Sequence, residues 1–411
     1  MLPLVLLLFG NVAFCQKKDR LQIVKESYSL NNSNDSTSPK KVTNEKDLFD
    51  VISSVFKKNS ALNSDTLTNN SKPVYSIVPA VGYTLQTKLA AVVSGNVAFF
   101  ISPKAKMSTI SASATYTQNK QFYVPVESNI SSKNNLYKFI GDYRFYKYPQ
   151  STFGLGSKAP LHNEDPMDYT YFRFYETILR KIKGNFFAGM GYNLDYHWNI
   201  SHKGMRNGNQ SDFGRYDPSH STVSSGITLN ALYDSRNNLI NAKKGVYANF
   251  QFRNNLQALG SKRNWESITV DLRKYFLFPG RSKNVLAFWS YNTLITFGKP
   301  PYLDLPSTGW DSYNSTGRGF IQGRYRGTKM VYLESEYRCR ITSNGLLGAV
   351  FFANSEAFAG GPKSQLESFQ TGYGTGVRIK LNKQSDTNLA IDYGFGTQGS
   401  KGLFIAVGEV F

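Results

Sequence analysis

The sequence predicts an all-β protein: a transmembrane antiparallel β-barrel of about sixteen strands, with a short N-terminal periplasmic helix. Three observations carry that expectation. The chain is rich in aromatic residues, with 26 Tyr and 29 Phe, yet only 40% of it is hydrophobic. From about Tyr75 onward, long segments alternate apolar and polar positions. The connections between those segments are long on one side and short on the other. A helical membrane protein needs runs of roughly 20 apolar residues. A barrel strand shows half its residues to a polar lumen, so hydropathy stays low while Tyr and Phe gather at the interfaces.

The amino terminus opens MLPLVLLLFGNVAFCQKKD, with no charge before Lys17. This run is too short to span a membrane as a helix but suits a secretory signal, so residues 1–15 are expected to be a signal peptide. A lipoprotein at Cys15 is the alternative, disfavoured by the bulky Phe14. With Cys15 removed, Cys339 is left without a disulfide partner. Residues 16–74 are Ser/Asn/Lys-rich and read as a disordered periplasmic segment. Within them, Leu48, Val51, Ile52, Val55 and Phe56 fall at helical spacing after Asn44, predicting an amphipathic helix over 45–58. It would cap the barrel mouth or dock a periplasmic partner.

The outer-membrane barrel is expected over 75–411, with strands at 75–83, 89–102, 107–118, 120–131, 134–148, 168–182, 184–201 and 220–236. The remaining strands are 245–256, 264–278, 284–298, 328–341, 346–359, 371–383, 387–397 and 402–411. The seventh is the clearest. Phe186, Ala188, Met190, Tyr192, Leu194, Tyr196, Trp198 and Ile200 form one face, Asn193, Asp195 and His197 the other. Pro125 should mark a bulge in the fourth. The longest loops, 149–167, 202–219, 299–327 and 360–370, each join an odd strand to an even one. With the first strand running outward, these are extracellular and the short turns periplasmic, the asymmetry of outer-membrane barrels. The glycines of GYGTGV are small packing positions in a strand.

The formal charge of +20 is spread through alternating segments rather than gathered in a block. No nucleic-acid reading motif accompanies it, so no nucleic-acid partner is expected. Outer-membrane lipid and lipopolysaccharide are the expected anionic neighbours. No nucleophile, metal-ligand spacing or phosphate loop stands out, so neither enzymatic activity, nor a metal, nor a cofactor is expected.

Two local patterns narrow the family. In LYDSRNNLINAKKGVYANF, Asp234, Arg236, Gly245 and Tyr247 resemble the D-x-R…G pattern of BamA/TamA-like bacterial surface-antigen barrels. In TGRGFIQGRYRGTKMVYLESEYR, Arg318, Gly319 and Phe320 resemble that superfamily's RG-aromatic loop, continued by Arg324 and Arg326. The aromatic Phe411 on the last strand resembles the sorting signal that the barrel-assembly machinery reads.

The resemblance implies that the loop folds back into the lumen, where its arginine pairs with an acidic residue on the inner wall. Strand alternation places Glu334 and Glu336 on one face, within reach of Arg318, Arg324 or Arg326. That face must be luminal, since charge facing lipid costs about 2–4 kcal/mol at mid-depth. Where the family carries an aspartate, this chain has Asn354, with Glu356 two residues on. Asn354, Glu356 and the strand carboxylates all remain open as partners of Arg318. Residues 16–74 are too few and too polar for the family's polypeptide-transport-associated repeats. The expected function is therefore outer-membrane protein or lipid assembly or transport by a barrel-only member. The alternatives are a structural anchor or partner subunit in an envelope complex, or a gated solute pore.

Overall fold

The computed structural model describes residues 45–48, 50–51, 73–84, 87–205, 207–311, 314–361 and 364–411. Among the described residues, seventeen strands form one sheet in which every ladder is antiparallel. The first eight are β1 (Val74–Thr84), β2 (Lys88–Phe99), β3 (Ser108–Thr117), β4 (Phe122–Ser131), β5 (Tyr137–Lys147), β6 (Gln150–Thr152), β7 (Asp165–Lys183) and β8 (Phe186–His202). Then come β9 (Thr222–Asp234), β10 (Gly245–Asn255), β11 (Trp265–Leu277), β12 (Val285–Gly298) and β13 (Lys329–Arg340). The last are β14 (Leu347–Ala359), β15 (Gln370–Asn382), β16 (Thr387–Gly396) and β17 (Lys401–Val407). Each long strand pairs with the next, and β17 comes to lie beside β1. Among the described residues, no backbone ladder joins those two strands.

The sixteen long strands match the segments expected from alternation; the seventeenth, β6, is a three-residue strand that extends the β5 edge along β7. Period 2 sets the two faces. Tyr75, Ile77, Leu89, Val93, Phe172, Phe174, Met190, Leu229, Phe288 and Leu333 are exposed on the outer face. Arg144, Arg173, Asp195, Glu334 and Glu336 are buried on the inner one. This is a soluble protein turned inside out, as lipid requires.

Four details differ from the sequence expectation. The ladder between β3 and β4 lapses beside Pro125 but keeps its register, so the missing N–H removes bonds without inserting a bulge. On β8, Asn199 takes a left-handed φ of 54° and the register with β7 shifts there. Ile200 therefore turns inward, 3% exposed, instead of continuing the outer face. The last strand stops at Val407. Gly408, at φ 107°, turns the chain into the lumen, so Phe411 is buried and not on the outer face with Leu403 and Ile405. Glu409 likewise lies inside, bonded to Arg378 at 2.7 Å.

Of the expected N-terminal helix, Leu48, Asp50 and Val51 are helical. The expected signal peptide 1–15, the Asn44 cap and the helix end at 52–58 lie outside the described residues. The helical turn sits on the short-turn side: Lys46 N donates to Asn344 O at 3.0 Å, and Lys383 Nζ pairs with Asp50 at 2.8 Å.

Candidate functional site

The segment between β12 and β13, residues 299–328, folds into the barrel and braces two opposite walls. Its first brace is on β5. By alternation Arg144 points inward, where Asp142 holds its guanidinium through bonds of 2.7 and 2.9 Å. The same guanidinium donates from Nη1 to Asn314 Oδ1 at 2.8 Å and from Nη2 to Asp311 O at 3.2 Å. Asn314 also donates to the Tyr146 hydroxyl. Trp310 packs among Tyr146, Tyr148 and Tyr171, which form an aromatic cluster on this wall of the lumen. Asp311 Oδ1 accepts from Ser315 N, Thr316 N and Thr316 Oγ1 at 2.8–2.9 Å, which closes the tip on itself.

The second brace is Arg318. Its guanidinium is 2% exposed and contacts Glu334 and Glu336 of β13 and, at 2.6 Å, Asp392 of β16. It lies 3.8 Å from the centroid of the Phe352 ring on β14. Tyr332 donates to Glu334, Arg338 to Glu336 at 2.6 Å, and Arg378 to Asp392. The neighbouring Glu409 takes Arg378 and lies 3.8 Å from Arg338. The carboxylates are thus shared among three guanidinium groups, which is what allows so much charge to sit buried.

The close approach depends on glycine. Gly319 has φ 106°, and a Cβ there would lie 2.6 Å from Phe395 O. Facing it, a Cβ on Gly394 would lie 2.8 Å from Gly319 N. The two backbones touch because neither carries a side chain. Gly372 and Gly396 continue this bare patch under Arg318 and Phe320.

Some residues singled out in the sequence meet here, and others do not. Arg318 meets Glu334 and Glu336. Asn354 binds the loop's main chain rather than its guanidinium, donating to Arg318 O at 2.8 Å. Glu356 accepts from Thr308 Oγ1 at 3.0 Å and among the described residues forms no ion pair. Phe320 is buried against Tyr325. Neither Arg324 nor Arg326 reaches β13. Arg324 donates to Ala159 O and Gln398 Oε1. Arg326 donates to the carbonyls of Tyr302, Leu303 and Leu305 and ties down the loop's start. Asp234 and Arg236 bond each other at 3.0 Å, and Gly245, at φ 114°, re-enters the sheet where any Cβ would strike Ser235 O. Phe411 packs on Trp289.

Asp392, Phe352 and Arg144 were not anticipated. For Asp392 the signal was present: an acid on the inner face of β16, two residues before Gly394 and four before Gly396. The loop also contains an acid whose side chain is buried, Asp304. Asp304 accepts from Ser224 Oγ at 2.5 Å and lies 3.5 Å from His197 Nδ1. Burial, and then the nearby Asp195, push its carboxyl up to about 7.

No family model and no curated protein matches the chain. Solved structures do. BamA from Haemophilus ducreyi, lacking POTRA domains 1–3, superposes with a TM-score of 0.52 at 12% identity, over 82% of this chain and 71% of that one. CdiB from Acinetobacter baumannii gives 0.54 at 12% identity, over 82% of this chain and 60% of that one. At such identity the likeness is one of fold: the chain has the barrel architecture of these two proteins.

Proposed function

We propose that this chain, which shares the barrel fold of BamA and CdiB, works in the outer membrane in protein or lipid assembly or transport, with its lumen governed by loop 299–328. The observation that carries the reading is the Arg318 brace. A pore for free diffusion gains nothing from burying a guanidinium among three carboxylates. A lumen that must stay closed until a cargo or partner arrives does. The long loops then face outside, beside lipopolysaccharide, and the short turns face the periplasm. The barrel itself would be inserted by the barrel-assembly machinery.

Depletion of the protein followed by outer-membrane proteomics tests this role. Loss of several other barrels, or altered lipid composition, is expected. An unchanged outer membrane would overturn it, as would a purified protein that conducts as a wide, permanently open pore whether or not Arg318 is replaced.

A second reading, a partner subunit in an envelope complex, is favoured by two contacts. The N-terminal segment is pinned to the rim by Asp50–Lys383 and Glu45–Arg340, at 2.8 and 3.4 Å, and so offers a fixed periplasmic surface. Affinity purification from native membranes would then recover a stoichiometric partner, and recovery of the barrel alone would exclude it.

A further inference from the structure

Between β9 and β10, residues 235–244 form a longer connection than a hairpin needs, since two to five residues suffice. It does not stay beside its own strands. Its neck is closed by the Asp234–Arg236 pair, with Arg236 stacked over Tyr247. Beyond the neck it crosses the mouth to the β15–β16 turn. Asn238 Nδ2 donates to Ser385 O and Asn241 Nδ2 to Asp386 O, each at 3.3 Å. Lys243 Nζ pairs with Asp386 at 2.6 Å. Arg338 of β13 donates to Ala242 O at 3.3 Å, and Glu409 N donates to Ile240 O at 3.4 Å.

The crossing segment holds its own shape. Asn237 Oδ1 accepts from the main chain of Lys243 and Lys244, and Asn238 Oδ1 from that of Ile240 and Asn241. Leu239 and Ile240 face the lumen, and Ala242 is buried with Tyr275, Trp289 and Phe411. Above it lies a chamber of about 680 Å³, walled in part by Ser94, Asn96, Ser111, Ser113, Asn249 and Gln251. Loop 299–328 lines the same chamber.

We propose that residues 235–244 are a strap that closes the lumen at the short-turn mouth, so that the barrel has two closures in series. Their clasp is the β15–β16 turn, and it is built to release. Its contacts are polar, and the Lys243 and Asp386 side chains are 41% and 18% exposed, so they part without unfolding the sheet. The same turn receives Asp47 and Asp50 on Lys383, which seats the N-terminal segment against the clasp. That this mouth is the periplasmic one rests on the function proposed above; the strap itself does not.

The test uses the full chain in lipid nanodiscs, with Cys15 and Cys339 replaced and a single thiol introduced by Ser113→Cys on the chamber wall. Labelling by a charged maleimide reports access to the lumen whatever the barrel transports. With both closures in place the thiol reacts slowly. Combined replacement of Asn238, Asn241 and Lys243 by Ala should raise the rate by about tenfold or more, a tenfold change corresponding to about 1.4 kcal/mol of lost closure. The single change Lys243→Glu, which sets like charges against each other at the clasp, should raise it several-fold. Heat-modifiable migration establishes that each variant is folded. Unchanged labelling in both folded variants would overturn the strap and leave the proposed role untouched.

Discussion

Arg318 and Asp392 meet at 2.6 Å across 74 residues of chain, and that pair ties an internal loop to the penultimate strand of the barrel. The contact is buried on both sides, with each side chain 2% exposed. Its partners Glu334 and Glu336 stand on the strand that follows the loop. The loop is therefore held by strands on either side of β14 and β15.

Replacing Arg318 by Ala strands Glu334 in the lumen without a cation among the described residues, while Glu336 keeps Arg338 and Asp392 keeps Arg378. Removing one member of a buried pair typically costs about 3–5 kcal/mol. Arg318→Lys should recover little, because one ammonium cannot present a planar fork to three acids. The denaturant midpoint for loss of the heat-modifiable band should fall in both variants, and further in the alanine.

Arg144→Ala should be milder. Asp142 keeps Arg173 at 3.1 Å, so no carboxylate loses its last cation. The loss is two hydrogen bonds from the guanidinium to neutral acceptors of the loop, and no buried acid is left unpaired. Hydrogen exchange should rise in residues 310–316 while the β13–β16 brace stays protected.

Gly394→Ala should displace the loop without harming the strand, since the added Cβ meets Gly319 N at 2.8 Å. Gly399→Ala, where a Cβ meets nothing within 4 Å but φ is 74°, is the control for backbone strain alone. Exchange protection of residues 317–320 should be lost in the first variant and kept in the second.

Asp304 makes docking of the loop depend on pH. Its carboxyl is raised in the folded state, to about 7, from an ordinary value of 3.8. The contribution is thus full at low pH and is lost as pH rises through about 7. Asp195, Arg253, Arg173 and His197 surround it. Exchange protection of residues 302–306 should fall from pH 5 to pH 8 in the native chain, values that bracket the range in which a raised acid titrates. Asp304→Asn should flatten that profile.

Much of this could be seen in the sequence, and the limit has a physical cause. Period-2 alternation revealed each long strand, because lipid on one side and a polar lumen on the other impose it locally. It also put Glu334 and Glu336 on one face of β13. It marks Asp392 as an inner-face acid of β16 but not as the partner of Arg318, because that nearness arises only when the sheet curls and brings distant strands to one lumen. Single-residue breaks in the alternation were equally hidden. Asn199 flips Ile200 inward and Gly408 turns Phe411 into the lumen, and each depends on one left-handed residue. Arg324 and Arg326 resemble Arg318 in sequence, yet they bind carbonyls, because the loop's path and not its composition decides what each guanidinium meets.

Trypsin treatment of intact outer membranes tests the central claim most directly, because Arg318, Arg324 and Arg326 are all buried and become cleavage sites only if the loop leaves the lumen. The native protein should remain uncut between residues 299 and 328. The Arg318→Ala protein should be cut after Arg324 and Arg326, with the barrel still folded. Cleavage of the native loop at the same rate as in the variant would contradict a loop held inside the barrel by Arg318.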